Sequence, residues 1–208
     1  MPLAAKGMLL TSMDIDPSDE AEFNRWYDRE HLEERVAVEG FLEARRYVAH
    51  QGSPKYLCLY STASIDVLDS PAYRAKLANP TDWSKKTMAR FKNMIRAVAR
   101  ITISRGQGRG AALGIIRLRP SAGLESGLRT ALRERLDPVL SGPITDDPAT
   151  LNPGAGDWFV LIDGAHVNAI SAAIAARFTG SAFESGIKIS AGSYNLMWDL
   201  ARNDLQLS

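Results

Sequence analysis

The order of secondary-structure signals in this chain runs through once and then starts again. Residues 7 to 15, GMLLTSMDI, form an apolar run of strand length, and Asp16 followed by Pro17 supplies a helix cap and first helical position. ALGIIRLRP, 112 to 120, repeats that sequence of strand then proline, with Pro120 lying 103 positions after Pro17. KYLCLYST at 55 to 62 has its counterpart in DWFVLIDG at 157 to 164, about 102 positions later. A near-constant offset points to one unit of roughly 100 residues used twice, and it constrains the fold more than any single motif does.

In the first unit, residues 1 to 105, the opening helix carries Asp19 and Glu20 in its first turn and is expected to reach about Val38, with Gly40 as the stop. GFLEARRYVAH, 40 to 50, alternates as a strand, QGSP turns, and KYLCLYST returns. A second helical region is predicted from about Ser64, broken at Asn79-Pro80 and resumed from Asp82 to about Ala97, with Trp83, Phe91, Met94 and Val98 on its buried face. VARITIS, 98 to 104, closes the unit as a β-branched strand. RGQGRG, 105 to 110, reads as a hinge.

The second unit, 106 to 208, keeps the layout less clearly. LSGPITDDPATLNPGAGD, 140 to 157, reads mostly as loop, 166 to 178 as helix, and SYNLMWDL, 193 to 200, as the last strand. Trp158, Phe159 and Trp198 are expected in this unit's own core. Two βαββαβ units define an α+β protein with two antiparallel four-stranded sheets, each carrying helices on one face. Strands that are apolar on both faces need cover on both sides. The sheets are therefore expected to pack face to face as an intramolecular pseudo-dimer, with further homo-oligomerisation left open.

Composition narrows the function classes. The 208 residues are 45% hydrophobic and 24% charged with a net charge of +1, so no global field recruits nucleic acid or an anionic membrane. No stretch approaches the ~20 apolar residues of a bilayer span. Asp14 and Asp16 arrive too early for a signal peptide, and the single cysteine, Cys58, excludes an intrachain disulfide or a cysteine metal site. A cytoplasmic location is the expectation.

One helix face holds the candidate site. At helical spacing Phe23, Trp26, Tyr27, Glu30, His31, Glu34, Ala37 and Val38 share an arc of about 140°. The face that packs on the sheet thus includes two carboxylates and an imidazole, which must be paired, reach the helix edge, or meet a water-filled cavity. In one reading Glu30 and Glu34 lie at the rim, pair with Arg45 or Arg46, and leave His31 a satisfied structural residue. In the other, Trp26 and Tyr27 line a pocket with His31 as its titratable group. Arg45 and Arg46 point to opposite faces of their strand, so at most one can serve that pocket.

The segments F-N-x-W-Y-D-x-E-H, G-F-x-x-A-R-R-Y and P-K-Y-L-x-L-Y, within residues 5 to 105, resemble the EthD-like branch of the dimeric α+β barrel (ferredoxin-like) superfamily. In a chain read as two tandem ferredoxin-like units the resemblance covers the first, and it implies a small-molecule cleft between helix and sheet, with Trp26, Tyr27 and His31 at matching positions. Related families include cofactor-free monooxygenases, polyketide cyclases, lactone isomerases and haem enzymes. The expectation that follows is an enzyme without cofactor or metal acting on a small aromatic or polyketide-like molecule. His31 would be the acid/base, because its unperturbed pKa lies nearest neutrality. Glu30 or Glu34 would orient it, Arg46 would serve the same pocket, and Tyr56 or Tyr60 would donate to a substrate oxygen. A non-catalytic ligand-binding module and a haem binder with His31 as axial ligand are the alternatives.

The equivalent helix of the second unit, LESGLRTALRERLDP, has no aromatic pair and no histidine, so a site is expected in the first unit alone. Other signals carry less. GQGRG opens no helix and is no phosphate loop. The basic positions from Arg90 to Arg109 alternate with core residues, as a solvated face does. His50 and His166 lack metal-ligand spacing, and Cys58 reads as a small buried hydrophobe.

Overall fold

The computed structural model describes residues 6–105, 108–135, 142–146, 156–179, 182–183 and 185–205. Strand β1 (Gly7–Asp14) leads through a 3-10 turn, Pro17–Asp19, into α1 (Glu20–Trp26), a π-helical turn (Tyr27–His31) and α2 (Leu32–Val36). Strands β2 (Phe41–Gln51) and β3 (Tyr56–Thr62) follow, then α3 (Pro71–Ala78), α4 (Asp82–Met88) and β4 (Lys92–Arg105). The second half contains β5 (Ala112–Pro120), α5 (Glu125–Arg135), β6 (Gly142–Asp146), β7 (Trp158–Gly164), α6 (Val167–Arg177), β8 (Ala182–Phe183) and β9 (Gly186–Ala201).

The strands lie in the order β2-β3-β1-β4-β6-β7-β5-β9, all neighbours antiparallel, and β9 returns to pair with β2. Eight strands thus close into a barrel, with the two-residue β8 beside β9. The order within the first half, β2-β3-β1-β4, has the same form as β6-β7-β5-β9 in the second. Closure satisfies the backbone donors and acceptors that open sheets would leave at β2, β4, β6 and β9. The two sheets do face each other across the barrel interior, as expected, but they are also joined edge to edge by hydrogen bonds at two seams.

Side-chain alternation then makes three apolar layers. Met8, Leu10, Tyr47, Leu59, Leu113 and Phe159 point inward and fill the barrel. Leu9, Met13, Ala44, Tyr56, Cys58 and Tyr60 point outward beneath α1 and α2. Leu118, Trp158, Val160 and Ile162 do the same beneath α5 and α6. A strand covered on both faces buries every residue, which is why all seven positions of β3 are buried.

Four expectations change. The segment 142–146, read as loop, is strand β6, paired with both β4 and β7; tertiary pairing overrides its weak propensity, and most of the remainder of 140–157 lies outside the described residues. Helix α4 ends at Met88 rather than near Ala97, and β4 begins at Lys92. Trp83 and Phe91 pack on the first-half core, but Met94 and Val98 are strand residues, and Met94 is exposed. The run from Ile95 to Ile101 also alternates with period two, and pairing with β1 selects that reading. Phe159 fills the barrel rather than a second-half core, and Trp198 is exposed. The hinge matters for a different reason: a Cβ on Gly110 would lie 1.9 Å from the carbonyl oxygen of Gly164, so only glycine permits that approach.

Candidate functional site

The helix that covers the first-half sheet changes pitch where its aromatic residues lie. From Tyr27 to His31 the backbone forms a π turn, and the Leu32 amide donates to the Tyr27 carbonyl, five residues back. In a continuous α-helix positions 26 and 31 would point about 140° apart. The wider turn brings them together, and His31 stacks on Trp26 with centroids 4.2 Å apart and planes 28° from parallel. Tyr27 meets the same imidazole edge-on at 5.2 Å, and Tyr60 does so from β3 at 6.4 Å. Isolated π turns inside α-helices are frequent at functional sites.

The turn also shifts which residues face the sheet. Phe23, Trp26, Tyr27 and His31 are buried, but beyond the turn Leu32, Arg35 and Val36 take the inner positions while Glu34 stays half-buried. Glu34 makes no hydrogen bond or ion pair among the described residues. Glu30 does not orient His31: one of its carboxylate oxygens accepts from Trp26 Nε1 at 3.1 Å, Thr81 Oγ1 at 2.6 Å and Ser84 Oγ at 3.1 Å. Neither carboxylate pairs with Arg45 or Arg46. Arg46 instead binds Asp28 at 2.7 Å and Asn24, and its guanidinium lies over the Tyr27 ring at 4.3 Å. Tyr56 packs against Phe23 at 4.8 Å. Arg45, on the opposite strand face, reaches Asp163 of the second half at 3.2 Å.

Beneath the helix runs a row of polar groups in register across four strands: Arg46, Cys58, Thr11 and Arg96. Next to it lies the row Ala44, Tyr60, Leu9 and Val98. Several polar atoms enclosed here have no well-formed hydrogen bond: His31 Nδ1, Arg35 Nη1 and Arg46 Nε have no partner, while Thr11 Oγ1 and the Tyr60 hydroxyl have only poorly aligned ones in Tyr27 and Cys58. Such atoms are rare in native interiors because each forfeits its hydration. Burial holds the His31 pKa well below the ordinary histidine value, and the Arg35 and Arg46 charges add to the depression, so the imidazole is neutral at pH 7. Burial likewise raises Tyr60 and Tyr27, and raises Cys58 to about 12, which makes that thiol inert.

Sequence reasoning placed Trp26, Tyr27, His31, Arg46, Tyr56 and Tyr60 around this face, and the fold brings all six together. It missed Asp28 and Arg35. The signal for Arg35 is absent at 3.6-residue periodicity, since it takes the π turn to rotate position 35 inward. The matching helix of the second half buries Leu128 and Leu132 instead. Among the described residues no group of three or more His, Cys, Asp or Glu side chains could hold a metal ion, and no helix is long and apolar enough to cross a membrane.

No protein-family profile matches the chain. No curated protein matches it in sequence. Solved structures do match in shape. An anthrone oxidase-like protein superposes with a TM-score of 0.64 at 10% identity, over 99% of this chain and 97% of its own. A candidate monooxygenase from Lactobacillus acidophilus NCFM gives 0.59 at 9% identity, over 95% and 97%. A variant chlorite dismutase from Candidatus Nitrospira defluvii gives 0.58 at 9% identity, over 92% and 90%. At such identities the likeness is one of fold, and the fold is that of the dimeric α+β barrel proteins.

Proposed function

We propose that the first half is the working half of a small-molecule enzyme of the EthD-like kind, in which His31 moves a proton on a small aromatic or polyketide-like substrate without a cofactor. The observation that carries this reading is the enclosed, unpartnered His31 Nδ1, with the Tyr60 ring edge-on to the same imidazole and the Tyr60 hydroxyl held only by the weak partners Cys58 and Tyr27. A neutral imidazole can take a proton from an acidic C–H or O–H, and a phenol kept protonated can donate to the oxygen that gains charge. Trp26, Tyr27 and Tyr56 supply aromatic walls, while Glu30 and Arg46 act through position: Glu30 locks Trp26, and Arg46 lies beneath Tyr27. The shared strand order of the halves supports a tandem duplication in which the second copy serves to close the barrel. A cytoplasmic location is part of the same proposal.

Anthrone is the first substrate to try, because one structural neighbour is described as anthrone oxidase-like. Its consumption in air should be faster with protein than with buffer and should fall toward the buffer rate in His31→Gln. Equal rates for wild type and His31→Gln would remove His31 from the mechanism. The second reading is a non-catalytic binder, favoured by how tightly Trp26 and Tyr27 are enclosed; it requires ligand recovered unaltered and bound equally by His31→Gln. The residues do not fit a haem. An axial role would require His31 to leave the Trp26 stack and the Tyr27 and Tyr60 edges that hold it.

A further inference from the structure

Three arginines are buried among the described residues, and two of them are neutralised. Arg45 faces Asp163 and Arg46 faces Asp28. Arg35 is 5% exposed, makes no ion pair or hydrogen bond through its side chain among the described residues, and leaves Nη1 without a partner. The Tyr73 ring lies 5.9 Å from the Arg35 guanidinium carbon, and the Arg35 charge also acts on His31 and Tyr60. A buried charge with no counter-ion weakens the fold that holds it. Within the same enclosed face lie His31 Nδ1, which has no partner, and the Tyr60 hydroxyl, whose only partners are the poorly aligned Cys58 and Tyr27; both residues are more than nine-tenths buried.

We propose that this cluster is an anion subsite, and that the ligand of the first half is a small acid whose anionic oxygen, carboxylate or phenolate, is bound by Arg35 with the Tyr60 hydroxyl as second donor. The proposal rests on reading this helix face as a ligand site, and it adds the charge and polarity of what is bound. An approach from solvent exists on the β4 side. An open groove of about 400 Å³ is lined by Ile65, Leu68, Leu77 and Val98, with Arg96 in its wall. Val98 is in register with Leu9, and Leu9 with Tyr60, so the groove floor ends one strand short of the subsite. Tyr73 spans the interval: its hydroxyl accepts from Arg96 at 3.4 Å, and its ring faces Arg35. Acidic groups on the rim are Asp66 and Asp69, the latter paired with Arg74 at 2.6 Å. The groove's apolar lining suits the body of an aromatic acid, and the two arginines suit its charged end.

Calorimetric titration of the intact protein with 2-naphthoate, its neutral isostere 2-naphthamide, and 4-nitrophenolate tests this. At least one anion should bind about tenfold tighter than the amide, and which one does so distinguishes a carboxylate from a phenolate ligand. Arg35→Gln should abolish that preference, and Arg35→Lys should keep part of it. Without ligand, Arg35→Gln should melt no lower than wild type, because it removes an uncompensated charge; a merely structural Arg35 would show the opposite. His31→Gln should keep the anion preference whatever it does to turnover. Equal binding of acid and amide by wild type, or an anion preference that survives in Arg35→Gln, overturns the proposal. Absence of binding by all three probes overturns it too, and leaves the role of His31 to the anthrone assay.

Discussion

An imidazole pressed against an indole and largely shielded from water is a base that stays neutral until the solution is well acid. The folded His31 resists protonation, whereas in the unfolded chain it takes a proton near its ordinary pKa of 6.5. Below that pH the unfolded state binds the extra proton, so stability falls as pH falls, by at most about 1.4 kcal/mol per pH unit. Between pH 7.5 and 5.5 the wild type should therefore lose about 1 kcal/mol more than His31→Gln, read from urea midpoints at both pH values. A parallel loss in the two proteins would mean that His31 is not held neutral. At this scale the apolar members of the site were legible, since large aromatic side chains on one helical arc have to be buried. The partners were not. Glu30 and Arg46 are long side chains with several charges in reach, and which pairs form depends on where other elements place Thr81, Ser84 and Asp28.

The helix that carries the site is held from outside by its neighbour. Thr81 caps α4, accepting from the Ser84 amide at 2.9 Å, and also donates to Glu30 at 2.6 Å. One hydroxyl therefore ends a helix and ties that helix to the π turn. Thr81→Ala loses both bonds and should cost about 1–2 kcal/mol by denaturant unfolding. It should also alter Trp26 fluorescence, because the carboxylate that positions the indole is loosened. A cost under about 0.5 kcal/mol would show that water replaces both bonds. Element existence followed from local signals, as with the unbroken apolar run of β3 and the entry at Pro17, although Pro17 opens a 3-10 turn ahead of α1 and the Asp16 side chain pairs with Lys92 instead of capping. Element character did not. A π turn differs from an α turn by one hydrogen bond in register, and β6 is a strand because β4 and β7 lie on either side of it.

Across the whole molecule, the halves meet through backbone pairing at β2–β9 and β4–β6 and through the buried pair Arg45–Asp163. Arg45 also donates to the Gly110 carbonyl at 2.8 Å, which anchors the hinge at the barrel's end. Asp163→Asn strands a buried guanidinium and should cost about 3–5 kcal/mol, whereas the double variant Arg45→Met with Asp163→Leu should recover most of that loss. A single variant as stable as wild type would show that the seams hold by their backbone bonds alone. The repeat offset by itself pointed to a like order of elements in the two halves, which the strand order shares, and strands apolar on both faces required cover on both sides. Both follow from patterning, because burial demands apolar residues at set spacings wherever the element ends up. Only the tertiary structure decided that the sheets join at their edges, that position 35 rather than 34 faces inward, and which charge is left alone. Those outcomes depend on backbone register and on distances between segments far apart in the chain, and periodicity does not encode either.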